Sequence, residues 1–148
     1  MLGRLARWLR ILGYDTKYVT GENRFNSILE SLHENRIILT RDRHLSANRA
    51  WKLLLIEHGH FAQQLLQLTR ELGLAVSRKR LFSRCAACNT PIEPVVNKAD
   101  VRQLVPQYVY ETAGDFSRCP ACNRIYWHGT HRALLLADLE KAGIKINE

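Results

Sequence analysis

The chain has 148 residues, 46% hydrophobic and 24% charged, which excludes a disordered or low-complexity protein and suits one compact domain or one domain with a small appendage. No run reaches the ~18 consecutive apolar residues of a membrane span. Arg4, Arg7 and Arg10 break every apolar stretch of the opening MLGRLARWLRILG, which excludes the core of a secretory signal and makes a cytoplasmic protein with no membrane partner the expectation. The net charge is +8, and residues 1–89 carry all of the excess, with 15 basic and 7 acidic side chains against 7 of each in 90–148. Sixteen of the 22 basic residues are Arg, whose planar fork of donors matches phosphate oxygens in pairs, so a nucleic-acid partner competes here with a functionally silent basic surface.

In chain order, residues 2–12 read as a helix. Leu2, Leu5, Ala6, Leu9 and Leu12 fall on one face, Arg4, Arg7 and Arg10 share another, and Gly13 is the stop. Residues 16–19 read as a short strand and 25–34 as a second helix carrying Ile28, Leu29 and Leu32. The apolar runs RIILT (36–40) and LLLI (53–56) suit buried parallel strands, and Phe61, Leu65, Leu68 and Leu72 make one stripe of a helix over 61–72. This alternation predicts an α/β layer with a mainly parallel sheet flanked by helices. An α/β unit usually opens with a strand, whereas here a helix comes first. From about residue 80 the texture changes to short β-prone pieces such as 92–96 and 107–110, and the tail 131–142 reads as a helix stopped by Gly143. Two regions are therefore expected, an α/β domain over 1–79 and a zinc ribbon with a C-terminal helix over 80–148.

The ribbon expectation rests on four cysteines in two Cys-x-x-Cys pairs, Cys85 and Cys88 in RCAACNT and Cys119 and Cys122 in RCPACNR, with 30 residues between the pairs. Two thiolates on a tight turn can face one metal, and two such turns complete a tetrahedral structural Zn²⁺ site. Each pair is followed by Asn (Asn89, Asn123), which tolerates the left-handed conformation such a turn needs. Disulfides are disfavoured in a reducing compartment, and a redox Cys-x-x-Cys needs one pair rather than two. His128 and His131 are surplus to a four-cysteine site and are expected to pack or to contact a partner. A closed site of four thiolates holds the fold and performs no hydrolysis.

Catalytic chemistry has its candidate in TRDRHL (40–45). Ligands gather outside the carboxyl ends of parallel strands, and Asp42 lies just past the strand 36–40. Hydrolysis of a phosphodiester with Mg²⁺ or Mn²⁺ calls for several carboxylates converging on the ion, so the alternative that Asp42 caps a turn or pairs with Arg41 or Arg43 stands beside the catalytic one.

Three blocks in order, LGRLARWLRILGYDT, RIILTRDRHL and the ribbon from FSRCAACN to FSRCPACNRIYWHGTH, resemble the Mut-seven C-terminal ribonuclease domain family over residues 2 to about 133. The resemblance implies a PIN-like α/β fold joined to a zinc ribbon, acidic residues holding divalent metal, and RNA as substrate. Asp42 matches the acidic position of the Thr-x-Asp signature, and the four cysteines match the ribbon ligands one for one. The resemblance also implies a first strand ending in Asp before the Met-Leu-Gly segment, and this chain starts at Met1. A second acidic position at the start of the second helix falls on Glu22, or on Glu30 further along. Two functions follow. One is a metal-dependent ribonuclease in which Asp42, with Glu22 or Glu30 and Asp15 nearby, holds Mg²⁺ or Mn²⁺ while Arg4, Arg7, Arg10, Arg41 and Arg43 hold phosphates. The other is a catalytically degenerate module that docks RNA or a ribonucleoprotein through the basic face and the ribbon. Trp8 is expected in the core, and Tyr126 and Trp127 are the better candidates for stacking on bases.

Overall fold

A computed structural model describes residues 2–21, 24–47 and 52–148. Helix α1 spans Gly3–Ile11 and buries Leu5, Ala6 and Leu9 on the face the leucine spacing predicts. It ends at Gly13, whose φ of +90° lets its N–H reach the Arg10 carbonyl and the Tyr14 N–H reach that of Leu9, both at 2.9 Å. The chain then runs through α2 (Arg24–His33), β1 (Ile38–Thr40), α3 (Arg43–Ser46), β2 (Leu53–Leu55), α4 (Phe61–Glu71) and β3 (Val76–Ser77). Beyond these come β4 (Glu93–Pro94), a 3₁₀ turn (Lys98–Val101), α5 (Gln107–Thr112), β5 (Phe116–Arg118), β6 (Ile125–Trp127), α6 (Thr130–Lys141) and β7 (Ile146–Asn147).

The two apolar runs pair as parallel strands, Ile38 opposite Leu53 and Thr40 opposite Leu55, so both leave the sheet at the same end. Strands β3 and β7 also pair in parallel, while β4, β5 and β6 form an antiparallel sheet that carries the second cysteine pair on its β5–β6 turn. The result is a mixed α/β fold of small sheets and helices. Its main core joins Leu5, Leu9 and Leu12 to Leu65 and Leu68 of α4, Ile56, Val76 and Ile144. The last helix adds Leu135 and Leu139 to that same core, so the C-terminus packs against the N-terminal elements. A second, smaller cluster of Val101, Val105, Val109, Ala113 and Phe116 supports the cysteine-bearing sheet.

Two elements differ from the sequence expectation. Residues 16–19 pair with no strand among the described residues, and the Thr16 N–H is taken by the Asn89 side chain at 2.9 Å. Residues 107–110 are helical rather than β-prone. Pro106 enters α5 with φ −57°, Gln107 bonds Glu111 across one turn at 2.9 Å, and Val105 and Val109 then face the small core together. The β-propensity of Tyr and Val yields here to tertiary packing.

Helix α4 buries more than its leucine stripe. Gln67 is buried, and its side-chain amide donates to the Leu55 carbonyl at 2.8 Å and accepts from the Glu57 N–H at 3.1 Å, while buried Gln64 donates to the His58 carbonyl at 2.8 Å. The two glutamines thereby satisfy backbone groups of the loop that leaves β2. Gln67→Ala leaves the Leu55 carbonyl and the Glu57 N–H without that partner, and a loss of about 1–3 kcal/mol in urea unfolding is expected. Retention of full stability would refute this role.

Candidate metal centre and candidate nucleic-acid site

The two cysteine turns have the same construction. Asn89 (φ 73°) and Asn123 (φ 61°) adopt the left-handed conformation; the Asn89 N–H bonds the Cys85 carbonyl and the Asn123 N–H the Cys119 carbonyl, each at 2.9 Å. The Cys85 and Cys119 N–H groups bond the carbonyls of Thr90 and Arg124, at 2.8 and 2.9 Å. This geometry aims sulfur inward, and all four Sγ atoms lie within 4.8 Å of one another, the one such group of three or more metal-ligating side chains among the described residues. Cys88 and Cys119 are 3.4 Å apart and Cys85 and Cys122 3.6 Å. A tetrahedron with metal–sulfur bonds of about 2.3 Å has edges near 3.8 Å, so the donor set fits a four-coordinate metal ion.

Electrostatics point the same way. Hydrogen bonds from the Thr90 hydroxyl and N–H pull Cys88 down to about 6. Cys85 is pushed up by burial, yet its net shift is downward because the Tyr126 hydroxyl, 2.9 Å away, and the Cys88 and Ala87 N–H groups favour its thiolate. At Cys122 the Arg124 N–H favours the thiolate, but burial and the neighbouring sulfurs of Cys85, Cys119 and Cys88 outweigh it and push the thiol up to about 11. Four adjacent sulfurs cannot all ionise in each other's field without a cation among them. Burial, then the Cys85 sulfur 2.9 Å away, push the Tyr126 hydroxyl up and keep it protonated beside the cluster. Trp127 is exposed. His128 lies edge-on to Phe82 with Arg132 on its Nδ1, outside the sulfur cluster.

The first cysteine turn is fastened to the N-terminal elements. Arg10 donates from Nε to the Thr16 carbonyl at 2.8 Å and from one terminal nitrogen to the carbonyls of Ala86 and Ala87, at 3.2 and 3.0 Å. Asn89 accepts the Thr16 N–H and donates to the Asp15 carboxylate at 2.6 Å. Asp15 is also gripped by both terminal nitrogens of Arg36, at 3.2 and 2.9 Å, and the Arg36 guanidinium, then the Asn89 amide, hold its carboxyl below the ordinary range. Of the basic residues singled out in the sequence, Arg10 is thus committed to three carbonyls, and Arg4 lies over the Phe61 ring at 4.9 Å. Arg7, Arg41 and Arg43 are exposed.

Asp42 sits immediately beyond the carboxyl end of β1. Its N–H bonds Thr40 Oγ1 at 3.0 Å, and its Oδ1 accepts from the N–H groups of His44, at 2.9 Å, and Leu45, at 3.4 Å, capping α3. The capping expected of Asp42 is therefore present, and it fixes the carboxylate at the sheet edge where both parallel strands end. Glu30 is turned to Lys17 at 2.5 Å, which also holds Glu34. Glu22 lies outside the described residues. Among the described residues no group of three acidic, His or Cys side chains includes Asp42. One carboxylate is still compatible with Mg²⁺, which keeps several waters and is often held by one or two carboxylates together with substrate phosphate.

The cysteine chemistry, the Thr-x-Asp position and the alternating helices and strands were legible in sequence. The long-range partners were not, because Arg10 bonds carbonyls of residues 86 and 87 and Asn89 bonds residues 15 and 16, each more than 70 residues away.

The chain is thus a mixed α/β protein with a fixed carboxylate at the end of its parallel strand pair and a cluster of four sulfurs that fits a metal ion. The sequence matches the family model described as Mut7-C RNAse domain over residues 1–137, and the chain belongs to that family. No curated protein and no solved structure matches it.

Proposed function

We propose that the chain is a metal-dependent ribonuclease of PIN-like type that hydrolyses RNA phosphodiester bonds, with a PIN-like unit over 1–79 and a zinc ribbon with its C-terminal helix over 80–148. Membership of a ribonuclease domain family supports RNA as substrate. The observation that carries the reading is Asp42 at the carboxyl end of the parallel pair, with Oδ1 fixed by two N–H groups, so that little reorganisation is required of it. Mg²⁺ or Mn²⁺ at that carboxylate would supply charge neutralisation and an activated water. Asp42 orients the centre, exposed Arg41 and Arg43 flank it and meet phosphate, and Arg4 and Arg7 extend the basic face along α1. Glu22 and Glu30 are the further carboxylates of this proposal, and Glu30 must release Lys17 to serve. Zn²⁺ in the Cys85, Cys88, Cys119 and Cys122 cluster is structural, and reduced thiols accord with a cytoplasmic protein.

A second reading has specific support in the ion pairs of Glu30 with Lys17 and of Asp15 with Arg36. With those carboxylates engaged elsewhere, the chain would bind RNA or a ribonucleoprotein without cutting it. Cleavage of a labelled single-stranded RNA with Mn²⁺ decides between them, using the wild type, Asp42→Asn and a reaction lacking divalent ion. The ribonuclease reading expects cleavage by the wild type alone, with salt-sensitive RNA binding retained by Asp42→Asn. Binding without cleavage by the wild type establishes the second reading.

A further inference from the structure

Helices α1, α4 and α6 enclose a half-open cavity of about 280 Å³ that neither the cysteine cluster nor Asp42 uses. Its floor includes Leu65 and Leu139, which are buried in the main core. Its wall is aromatic, with the Trp8 and Phe61 rings 4.7 Å apart and tilted by 37°, and the Arg4 guanidinium lies 4.9 Å from the Phe61 centroid. Exposed Asp138 and Lys141, from the last turn of α6, complete its polar rim. Phe61, on the cavity wall, opens α4 directly after the loop that leaves β2.

We propose that this cavity holds one unpaired nucleotide of an RNA strand and prefers guanine, an inference that rests on the RNA-directed reading above. The ingredients are those by which single-stranded RNA is held: an aromatic surface, a guanidinium plane and cations for the phosphate. Apolar floor and aromatic wall take the base, while Arg4 and Lys141 meet its phosphate. Asp138 supplies the choice of base. An ionised carboxylate only accepts hydrogen bonds, and guanine alone among the four bases offers two adjacent N–H donors, N1–H and N2–H, on one edge. Adenine presents an unprotonated N1 there, which faces the carboxylate with lone pair against lone pair. Among the described residues no hydrogen bond or ion pair engages the Asp138 carboxylate, which leaves its acceptors for a ligand. The buried glutamines of α4 hold the loop before Phe61 in place, so the aromatic wall is set before RNA arrives.

The test is fluorescence anisotropy of labelled uridine-rich heptamers containing one central G, one central A or neither, titrated with the full chain in buffer free of Mg²⁺ and Mn²⁺ so that the RNA stays intact. The G heptamer is expected to bind about tenfold more tightly than the A heptamer. Asp138→Asn, an exposed and isosteric change, is expected to abolish that ratio, and Arg4→Gln to weaken all three RNAs and flatten the salt dependence. Phe61→Leu, checked for an unchanged melting curve, is expected to weaken the G and A heptamers alike by about tenfold. Equal binding of G and A by the wild type, or a preference that survives Asp138→Asn, overturns the proposal. If RNA is bound and cleaved but no cavity variant matters, the inference fails and the ribonuclease reading stands. If the G preference behaves as expected but no RNA is cleaved, the inference stands and the catalytic reading fails. Absence of RNA binding in this buffer overturns the inference, and its absence also with Asp42→Asn in Mn²⁺ overturns the RNA-directed reading with it.

Discussion

Replacing Cys119 by Ser, or stripping the protein of metal with a chelator, is expected to unfold the segment from Cys85 to Trp127 and to loosen the C-terminal end of α1 with it. Cys119 is fully buried beside three other sulfurs. Around them the apolar support is the buried Val101, Val105, Val109, Ala113 and Phe116 with half-buried Val95, Tyr110 and Ile125 against them, a cluster too small to hold three short strands unaided. Structural zinc contributes on the order of 10 kcal/mol to small domains of this kind, as much as the whole stability of many proteins. The loss spreads because Arg10 and Asn89 fasten the Cys85 turn to residues 15 and 16. Hydrogen exchange reads this directly. The amides of Asn89, Asn123 and Thr16 are expected to lose protection together on chelation, while those of Leu65 and Leu68 in the main core keep it. Unchanged protection at Asn89 and Asn123 after metal removal would show that the turns stand on their own hydrogen bonds.

Gly13→Ala is expected to cost at least about 3 kcal/mol, the largest effect of a methyl group added at any of the glycines. At φ +90° an L-residue is strained by roughly 1–2 kcal/mol before any contact is considered. A Cβ there would also lie 2.4 Å from the Arg80 carbonyl oxygen and 2.9 Å from the Arg80 Cβ. The first of these is backbone and cannot swing aside, because the segment is pinned to α1 by the Phe82 N–H on the Ile11 carbonyl at 2.7 Å. Gly143 provides the control. It has φ +79°, but nothing described lies within 4 Å of the place its added methyl group would occupy, so Gly143→Ala carries only the backbone strain. Urea midpoints of the two variants separate clash from strain, and equal midpoints would contradict the close packing of residues 80–83 on Gly13.

Local chemistry made much of this molecule readable from sequence. The leucine spacing of α1 and α4, the apolar runs of β1 and β2, and Gly13 and Gly143 as helix stops follow from short-range rules of periodicity and conformation. The cysteine turns followed for the same reason, since each turn carries its own geometry. Where partners lie far apart in sequence the rules fell silent. Residues 16–19 look like a strand because Tyr and Val favour one, yet the Thr16 N–H bonds an Asn side chain. Gln64 and Gln67 lie outside the apolar stripe by which α4 is recognised, and the backbone groups beyond β2 explain their burial. In chain order the final helix follows the cysteine-bearing sheet, and in space its leucines complete the N-terminal core. Asp42 shows a third limit. Its two readings, cap and metal carboxylate, share one position, and the observed capping bonds orient the carboxylate that the catalytic reading needs.

The most direct test of that reading is Mn²⁺ binding followed by electron paramagnetic resonance, with the wild type and Asp42→Asn each titrated with and without a single-stranded RNA. Asp42, with Glu22 or Glu30 recruited beside it and substrate phosphate completing the site, predicts weak Mn²⁺ binding by the wild type alone, clearly tighter binding when RNA is present, and loss of that RNA-dependent gain in Asp42→Asn. The same Mn²⁺ affinity in both proteins, with and without RNA, would contradict a metal centre at Asp42.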